Sequence, residues 1–298
     1  MSILLDETTR ILIQGATGRQ ARLHVSYMQK YGTNVVAGVS PGHGGETVND
    51  LPVYDSVADA LENHEIDITV LFIPGIAVKT AAMEAIDAGI PHVHILAEGV
   101  PHHDASLIIE TATAKGIRVV GPNSQGIISV GKAKIGGTGG PVPSRIYSEG
   151  PVGIIARSGG MGGEIANILT RDSIGQSTFV PIGGDFLVGT SFVPLLELFE
   201  QDPDTEAVAI FGEAGTGQEE AVARMIQAGN FTKPLIALIV GDSVERLPKG
   251  LSFGHTGSII EHDVGSPAQK RRLLSDAGAY VADTLADIPA LVRAALRQ

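Results

Sequence analysis

At 298 residues the chain has room for two domains of about 150 residues each, either one large enough to bury a core without staples. Acidic residues outnumber basic ones 33 to 21, a formal net charge of −12, which excludes binding by neutralising a nucleic-acid backbone or an anionic membrane surface. The absence of Cys rules out a disulfide framework, a thiolate metal site and a catalytic thiol, and with no Trp and 4% aromatics little is left for stacking on bases.

Residues 1–6 show no basic region leading into an apolar stretch, as a signal peptide would. The longest apolar candidate for a membrane span, 68–78, contains Pro74 and Gly75 and falls short of the roughly 18 residues a span needs. A soluble cytoplasmic protein is the expectation. Glycine is the outlier: 38 residues, almost twice the usual share of about 7%.

Short β-branched runs alternate with longer segments whose apolar residues recur at three and four, the pattern of βαβ units around a parallel sheet. The pattern predicts strands at 10–14, 34–39, 68–73, 92–96 and 118–120, and helices at 19–30, 56–63, 76–88 and 104–115. Gly89 and Gly116 stand where helix C-caps belong. Residues 136–150 have no period, and six of the first eight are Gly or Pro, which marks a linker. The alternation restarts with strands at 152–156, 177–181, 207–212, 235–240 and 279–281, and helices at 162–170, 192–201, 218–228, 267–277 and 285–296. The expected fold class is α/β, with two tandem doubly wound domains at 1–135 and 151–298. In such sheets ligands bind beyond the carboxyl ends of the strands, so the residues just after each strand are the informative ones.

After the first strand comes GATGRQ (15–20), a turn that opens a helix and whose amides suit a phosphate; a plain tight connection reads the same residues equally well. The dinucleotide fingerprint, with its three glycines and an acid at the end of the second strand, is missing: that strand runs into Ser40, Pro41, Gly42, His43, Gly44 and Gly45, which disfavours NAD. Ser40, His43 and the glycines fit another phosphate-bearing ligand, with a solvated loop residue as the alternative for His43. Glu98 with Gly99, then Asn123, Ser124 and Gln125, follow later strands. Residues 158–164, SGGMGGE, precede a helix as a second amide nest or as a flexible turn. Glu213 ends a strand in FGEAGTG, and His255 stands between Gly254 and Thr256 in a segment too polar and broken to be core, where a surface role is the alternative. No metal site is expected: His92 with His94, and His102 with His103, lack ligand spacing.

Taken together, SILLDETTRILIQGATGRQ, YGTNVVAGVSPGHGG, LPVYDSVADA, EAIDAGIP, AEGVP, GPNSQG, ARSGG, GQSTFVPIGGD, LELFEQDPDTEAVAIFGE and PKGLSFGHTGSII resemble, in order and nearly end to end, the alpha subunit of succinyl-CoA synthetase and related nucleoside-diphosphate-forming acyl-CoA ligases. The resemblance implies an N-terminal Rossmann-like CoA-binding domain and a C-terminal flavodoxin-like ligase domain. It also implies an ATP-grasp beta subunit as partner, in an αβ or α2β2 assembly, with ATP or GTP and Mg2+ held mainly by that partner. By position it places Thr17, Gly18, Arg19, Gln20, His43, Leu96, Ala97 and Glu98 around CoA. It makes His255 the transiently phosphorylated residue, oriented by Glu213, with Ser158, Gly159 and Gly160 donating amides to the phosphate, and puts Asn123, Ser124, Gln125 and Gly163 beside a small carboxylic acid.

The chemistry fits these residue types. A carboxylate acylates poorly until it becomes an acyl phosphate, which the CoA thiol attacks with release of phosphate; in the reverse direction the phosphoryl group of the acyl phosphate is accepted by His255 and passed to ADP. Imidazole, with an unperturbed pKa of about 6.5, keeps a neutral nucleophilic nitrogen near pH 7. A carboxylate on its other nitrogen fixes the tautomer and steadies the charge.

Three departures bear on specificity. G-P-N-C-P-G in the family is GPNSQG here, S-G-T-L-T-Y-E is SGGMGGE, and the lysine of P-G-K-G-G is His43. The family tyrosine associated with the acid is thereby Gly163, which opens space for an acid bulkier or more polar than succinate. Succinate itself, a non-catalytic CoA or acyl-CoA sensor, and an NAD(P) oxidoreductase are the competing readings. Retention of both His255 and Glu213 speaks against the sensor.

Overall fold

The computed structural model describes residues 2–242 and 265–297. It divides into two units, Leu4–Val142 with Leu187–Thr190, and the remainder from Pro143 onward with the first residues of the chain.

The N-terminal unit runs β1 (Ile11–Gln14), α1 (Arg19–Tyr31), β2 (Val35–Val39), β3 (Thr47–Val48), β4 (Leu51–Tyr54), α2 (Val57–Leu61), β5 (Ile68–Leu71), α3 (Val78–Asp87), β6 (His92–Ile95), α4 (His102–Ala114) and β7 (Arg118–Val120). These strands form one sheet in the order β3-β4-β2-β1-β5-β6-β7, parallel except for the β3/β4 pair. The strand order reverses at β1, which creates the crevice at the carboxyl ends of β1 and β5 that this architecture uses for ligands. Leu12, Val39, Leu71, Val93 and Ile95 from the strands meet Val78, Ala82, Ile86, Ala105 and Ile108 from the helices in one buried cluster. Two further strands, β8 (Gly126–Ser129) and β9 (Ala133–Gly136), pair antiparallel.

The C-terminal unit runs β10 (Glu149–Ala156), α5 (Gly159–Arg171), β11 (Gln176–Pro181), α6 (Phe192–Gln201), β12 (Ala207–Glu213), α7 (Gln218–Gln227), β13 (Leu235–Val240), α8 (Pro267–Asp276), β14 (Tyr280–Ala282) and α9 (Ile288–Ala295). The parallel order β14-β13-β12-β10-β11 is the flavodoxin-like one, with its reversal at β10. The expected α/β class with two doubly wound sheets is what the chain adopts.

Differences from the expected elements have local causes. The β3/β4 hairpin was not foreseen, because a two-residue strand shows no period; its turn, Asn49-Asp50, has both φ values positive (53° and 61°), the geometry that twists adjacent strands correctly. The β8/β9 hairpin was also unforeseen. Helix α5 begins at Gly159 rather than at residue 162, since Ser158 caps it and Gly162 is required inside it: a Cβ there would run into the Phe179 ring. Helices α3 and α9 open with a 3₁₀ turn in place of their expected first α-turn. Gly89 (φ 81°) and Gly116 (φ 69°) do end α3 and α4 in the left-handed conformation that stops a helix.

Candidate functional site

In the N-terminal unit the turn after β1 is held from the end of β2. Thr17 N–H and Thr17 Oγ1 both lie 3.2 Å from Ser40 Oγ, and His43 N–H donates to Ser40 O at 3.0 Å, so Ser40 ties the two ligand-edge loops together. Gly18 caps α1 without a side chain, and Arg19 and Gln20 in its first turn are exposed. The first-turn amides of a 13-residue helix have no intrahelical acceptor, which leaves them for an anion such as a CoA phosphate.

Gly15 makes this turn possible: its φ is +80°, and a Cβ would sit 2.6 Å from Phe72 O. Gly15→Ala is expected to cost about 1–3 kcal/mol and to weaken CoA binding, checked by thermal unfolding and by calorimetric titration with CoA.

The loop after β2 contains a feature that the sequence pattern did not show. No carboxylate stands directly at the end of β2, yet Asp55, just beyond β4, folds onto the loop and accepts from Gly42 N–H at 2.7 Å and Gly44 N–H at 2.9 Å. These two glycine amides therefore already serve an internal anion. His43 Nδ1 lies 2.8 Å from Glu46 Oε1, with both side chains about half exposed.

After β6, Leu96 and Ala97 are half-buried and Glu98 is exposed. The GPNSQG turn folds against this segment, with Asn123 N–H donating to Ala97 O at 2.9 Å and Ser124 N–H to Ile95 O at 3.3 Å. Ser124 is 3% exposed, and its hydroxyl bonds His94 Nε2 at 2.9 Å. The serine in place of the family cysteine is thus matched by a histidine inside the sheet. Burial holds His94 neutral down to about pH 3, and it lowers the neighbouring His92 as well. Gln125 is exposed, and its carbonyl accepts from Gly137 N–H at 2.8 Å.

In the C-terminal unit the end of β10 organises the site. Ser158 Oγ accepts from Met161 N–H at 3.4 Å as the cap of α5, leaving Gly159, half-buried, and Gly160, exposed, in the helix's first turn. The preceding Arg157, 1% exposed, donates from Nε to Glu213 Oε1 at 3.0 Å and from Nη2 to the carbonyls of Gly184 and Asp185 at 3.0 and 3.1 Å. Glu213, at the end of β12, is 8% exposed. The arrangement sets an ionic carboxylate beside a helix start with unsatisfied amides, a pairing suited to a cationic imidazole and the anion it carries. Gly163 opens onto Tyr147: a Cβ there would lie 3.8 Å from the phenol oxygen. His255 lies outside the described residues. Among the described residues no three His, Cys, Asp or Glu side chains are grouped to hold a metal, and no helix is long and apolar enough to cross a membrane.

Sequence reasoning singled out Ser40 as a ligand-edge residue but missed Arg157 and Asp55. Arg157 had a signal, a charge ending the apolar strand VGIIA, while Asp55 was hidden because its role exists only once β4 lies beside β2.

The comparisons with known proteins agree with this geometry. Residues 6–99 match the CoA binding domain, and residues 149–295 match the succinyl-CoA ligase like flavodoxin domain, so the two units have the make-up of a CoA ligase subunit. Over 292 residues the chain is 41% identical to subunit alpha 2 of the ADP-forming succinate–CoA ligase of Archaeoglobus fulgidus, covering 98% of this chain and 99% of the relative. It is 39% identical over 299 residues to subunit SauD of the ADP-forming sulfoacetate–CoA ligase of Bilophila wadsworthia, covering 99% and 100%. The solved ATP citrate lyase of Methanothrix soehngenii, in complex with citrate and coenzyme A, superimposes on 99% of this chain with a TM-score of 0.91 at 27% identity; this chain spans 50% of that longer one. The chain belongs to the family of alpha subunits of ADP-forming CoA ligases.

Proposed function

We propose that the chain, with an ATP-grasp beta subunit, forms an acyl-CoA from a carboxylic acid, CoA and ATP. The observation that carries this reading is the Arg157–Glu213 pair beside the Ser158-capped start of α5, in a chain that matches such subunits over its whole length. A ring nitrogen of His255 takes the γ-phosphoryl group as the bond to ADP breaks. A carboxylate oxygen of the substrate then takes it from the histidine, giving an acyl phosphate and restoring the imidazole. The CoA thiol gives up its proton and attacks the acyl carbon, and inorganic phosphate leaves. Glu213 orients the imidazole and steadies its positive charge, the α5 amides receive the phosphate, and residues 17–20, His43 and 96–98 hold CoA. The relatives named above are ADP-forming, which favours ATP over GTP.

The acid is more polar or bulkier than succinate. Gly163 and Gln125 support this, the first by leaving room beside Tyr147 and the second by adding an amide. The sulfoacetate relative shows that such an acid is compatible with this level of similarity. Succinate is the second reading, favoured by the 41% identity to a succinate–CoA ligase subunit.

Co-expression with the beta subunit and incubation with γ-labelled ATP is expected to place acid-labile phosphate on this chain and none on the His255→Asn variant. Label that survives in the variant overturns the mechanism; no label on the wild type favours the sensor. Adding CoA with sulfoacetate, a hydroxy-dicarboxylate, a tricarboxylate or succinate then discharges the label with the true substrate, and fastest discharge by succinate overturns the assignment of the acid.

A further inference from the structure

Beneath Glu213 lies a second ion pair, between Lys270 near the start of α8 and Glu219 in the first turn of α7, with both side chains 0% exposed. Their remaining polar atoms end on the turn that carries Glu213. Lys270 Nζ donates to Glu213 O at 2.7 Å and also to Gly215 O, and Glu219 Oε1 accepts from Glu213 N–H at 3.2 Å. Arg157 Nε holds the Glu213 carboxylate at 3.0 Å. The N–H, the C=O and the carboxylate of Glu213 are therefore each gripped by a buried charged side chain from a different element.

Two buried charges are a poor way to stabilise a turn. Desolvation costs several kcal/mol per ion, and an apolar pair of the same volume serves a fold as well or better. Burial indeed pushes the Glu219 carboxyl upward against the pull of Lys270. What a charged pair supplies, and an apolar one does not, is directional hydrogen bonds to backbone atoms that leave little freedom in where the attached carboxylate points. The neighbouring chain is shaped around the device: at Gly212 a Cβ would collide with Glu219 Oε1.

We propose that Lys270 and Glu219 are positioning residues for Glu213, fixing the backbone that aims its carboxylate; this rests on the reading above that Glu213 orients the phosphorylated histidine. The test separates stability from positioning in the αβ complex. Glu219→Met combined with Lys270→Met removes both charges at nearly constant volume. It is expected to keep the melting temperature at or above the wild-type value while the rate of labelling from ATP falls about 100-fold, with the KM for ATP and for CoA unchanged. Glu219→Gln, isosteric, retains one oxygen where two are used and so loses one of the two grips; because it also leaves Lys270 buried without its counter-charge its melting temperature is expected to fall, and its labelling rate, read well below that temperature, to fall about 10-fold. A wild-type rate in either folded variant overturns the proposal, and if the double variant does not fold, Glu219→Gln decides. An unlabelled wild-type complex overturns the reading of Glu213 itself, and the proposal with it.

Discussion

Arg157→Met is expected to destabilise the C-terminal unit by about 3–5 kcal/mol, the cost of removing one partner from a buried ion pair. The guanidinium does three things at once: it neutralises Glu213, which is 8% exposed, and it satisfies the carbonyls of Gly184 and Asp185. Methionine fills much of the volume but offers no donor, so the carboxylate and two carbonyls lose the guanidinium. Arg157→Lys keeps the charge but, as a compact donor without the planar fork, it cannot reach the carboxylate and both carbonyls together, and an intermediate loss is expected. Denaturant unfolding followed by a probe in the C-terminal unit measures both. Full stability in Arg157→Met would show that the charge is not needed there.

Acid is expected to unfold the N-terminal unit well above the pH at which most carboxylates are protonated. His94 titrates at about 3 in the folded chain because burial excludes its charged form, against about 6.5 when unfolded. Below pH 6.5 the unfolded state binds a proton that the native state refuses. Stability is therefore fully present above about 6.5 and is lost as pH falls toward 3, at about 1.4 kcal/mol per pH unit. At pH 4.5 His94 alone removes about 3 kcal/mol, and His92, lowered by burial, by the adjacent His94 and by Arg118, adds to it. Replacing both histidines with Val is expected to flatten this limb of the stability-against-pH curve, while Ser124 Oγ still accepts from Gly126 N–H. Equal acid sensitivity in the double variant would place the lability elsewhere.

Much of the N-terminal unit was legible from residue order because parallel strands buried on both faces read as apolar runs and their covering helices carry a 3.6-residue period. Helix α6 and strand β13 match the expected bounds to the residue. The short antiparallel pairs escaped because β3 and β4 gain their regularity from a partner and not from a periodic segment of their own. At the site, the glycine-rich turns at 15–20 and 158–164 and the acid Glu213 could be singled out, since each follows a strand and precedes a helix. Lys270 could not. In PAQKRRLL it looks like one of several solvated cations, and only the packing of α8 against β13 and α7 turns it inward.

Composition and order by themselves determined that this chain folds as two α/β units and gathers glycines in the turns that join its strands to its helices. The tertiary structure alone decided how those turns are held. Ser40 joins the loops after β1 and β2, Asp55 spends its carboxylate on the amides of Gly42 and Gly44, and Arg157, Glu219 and Lys270 take hold of three different parts of Glu213. Periodicity reports which face of an element is buried. It does not report which charged side chains, far apart in the chain, will be forced by that burial to find one another, because a charge is kept in the interior only when folding has brought its partners within hydrogen-bonding distance.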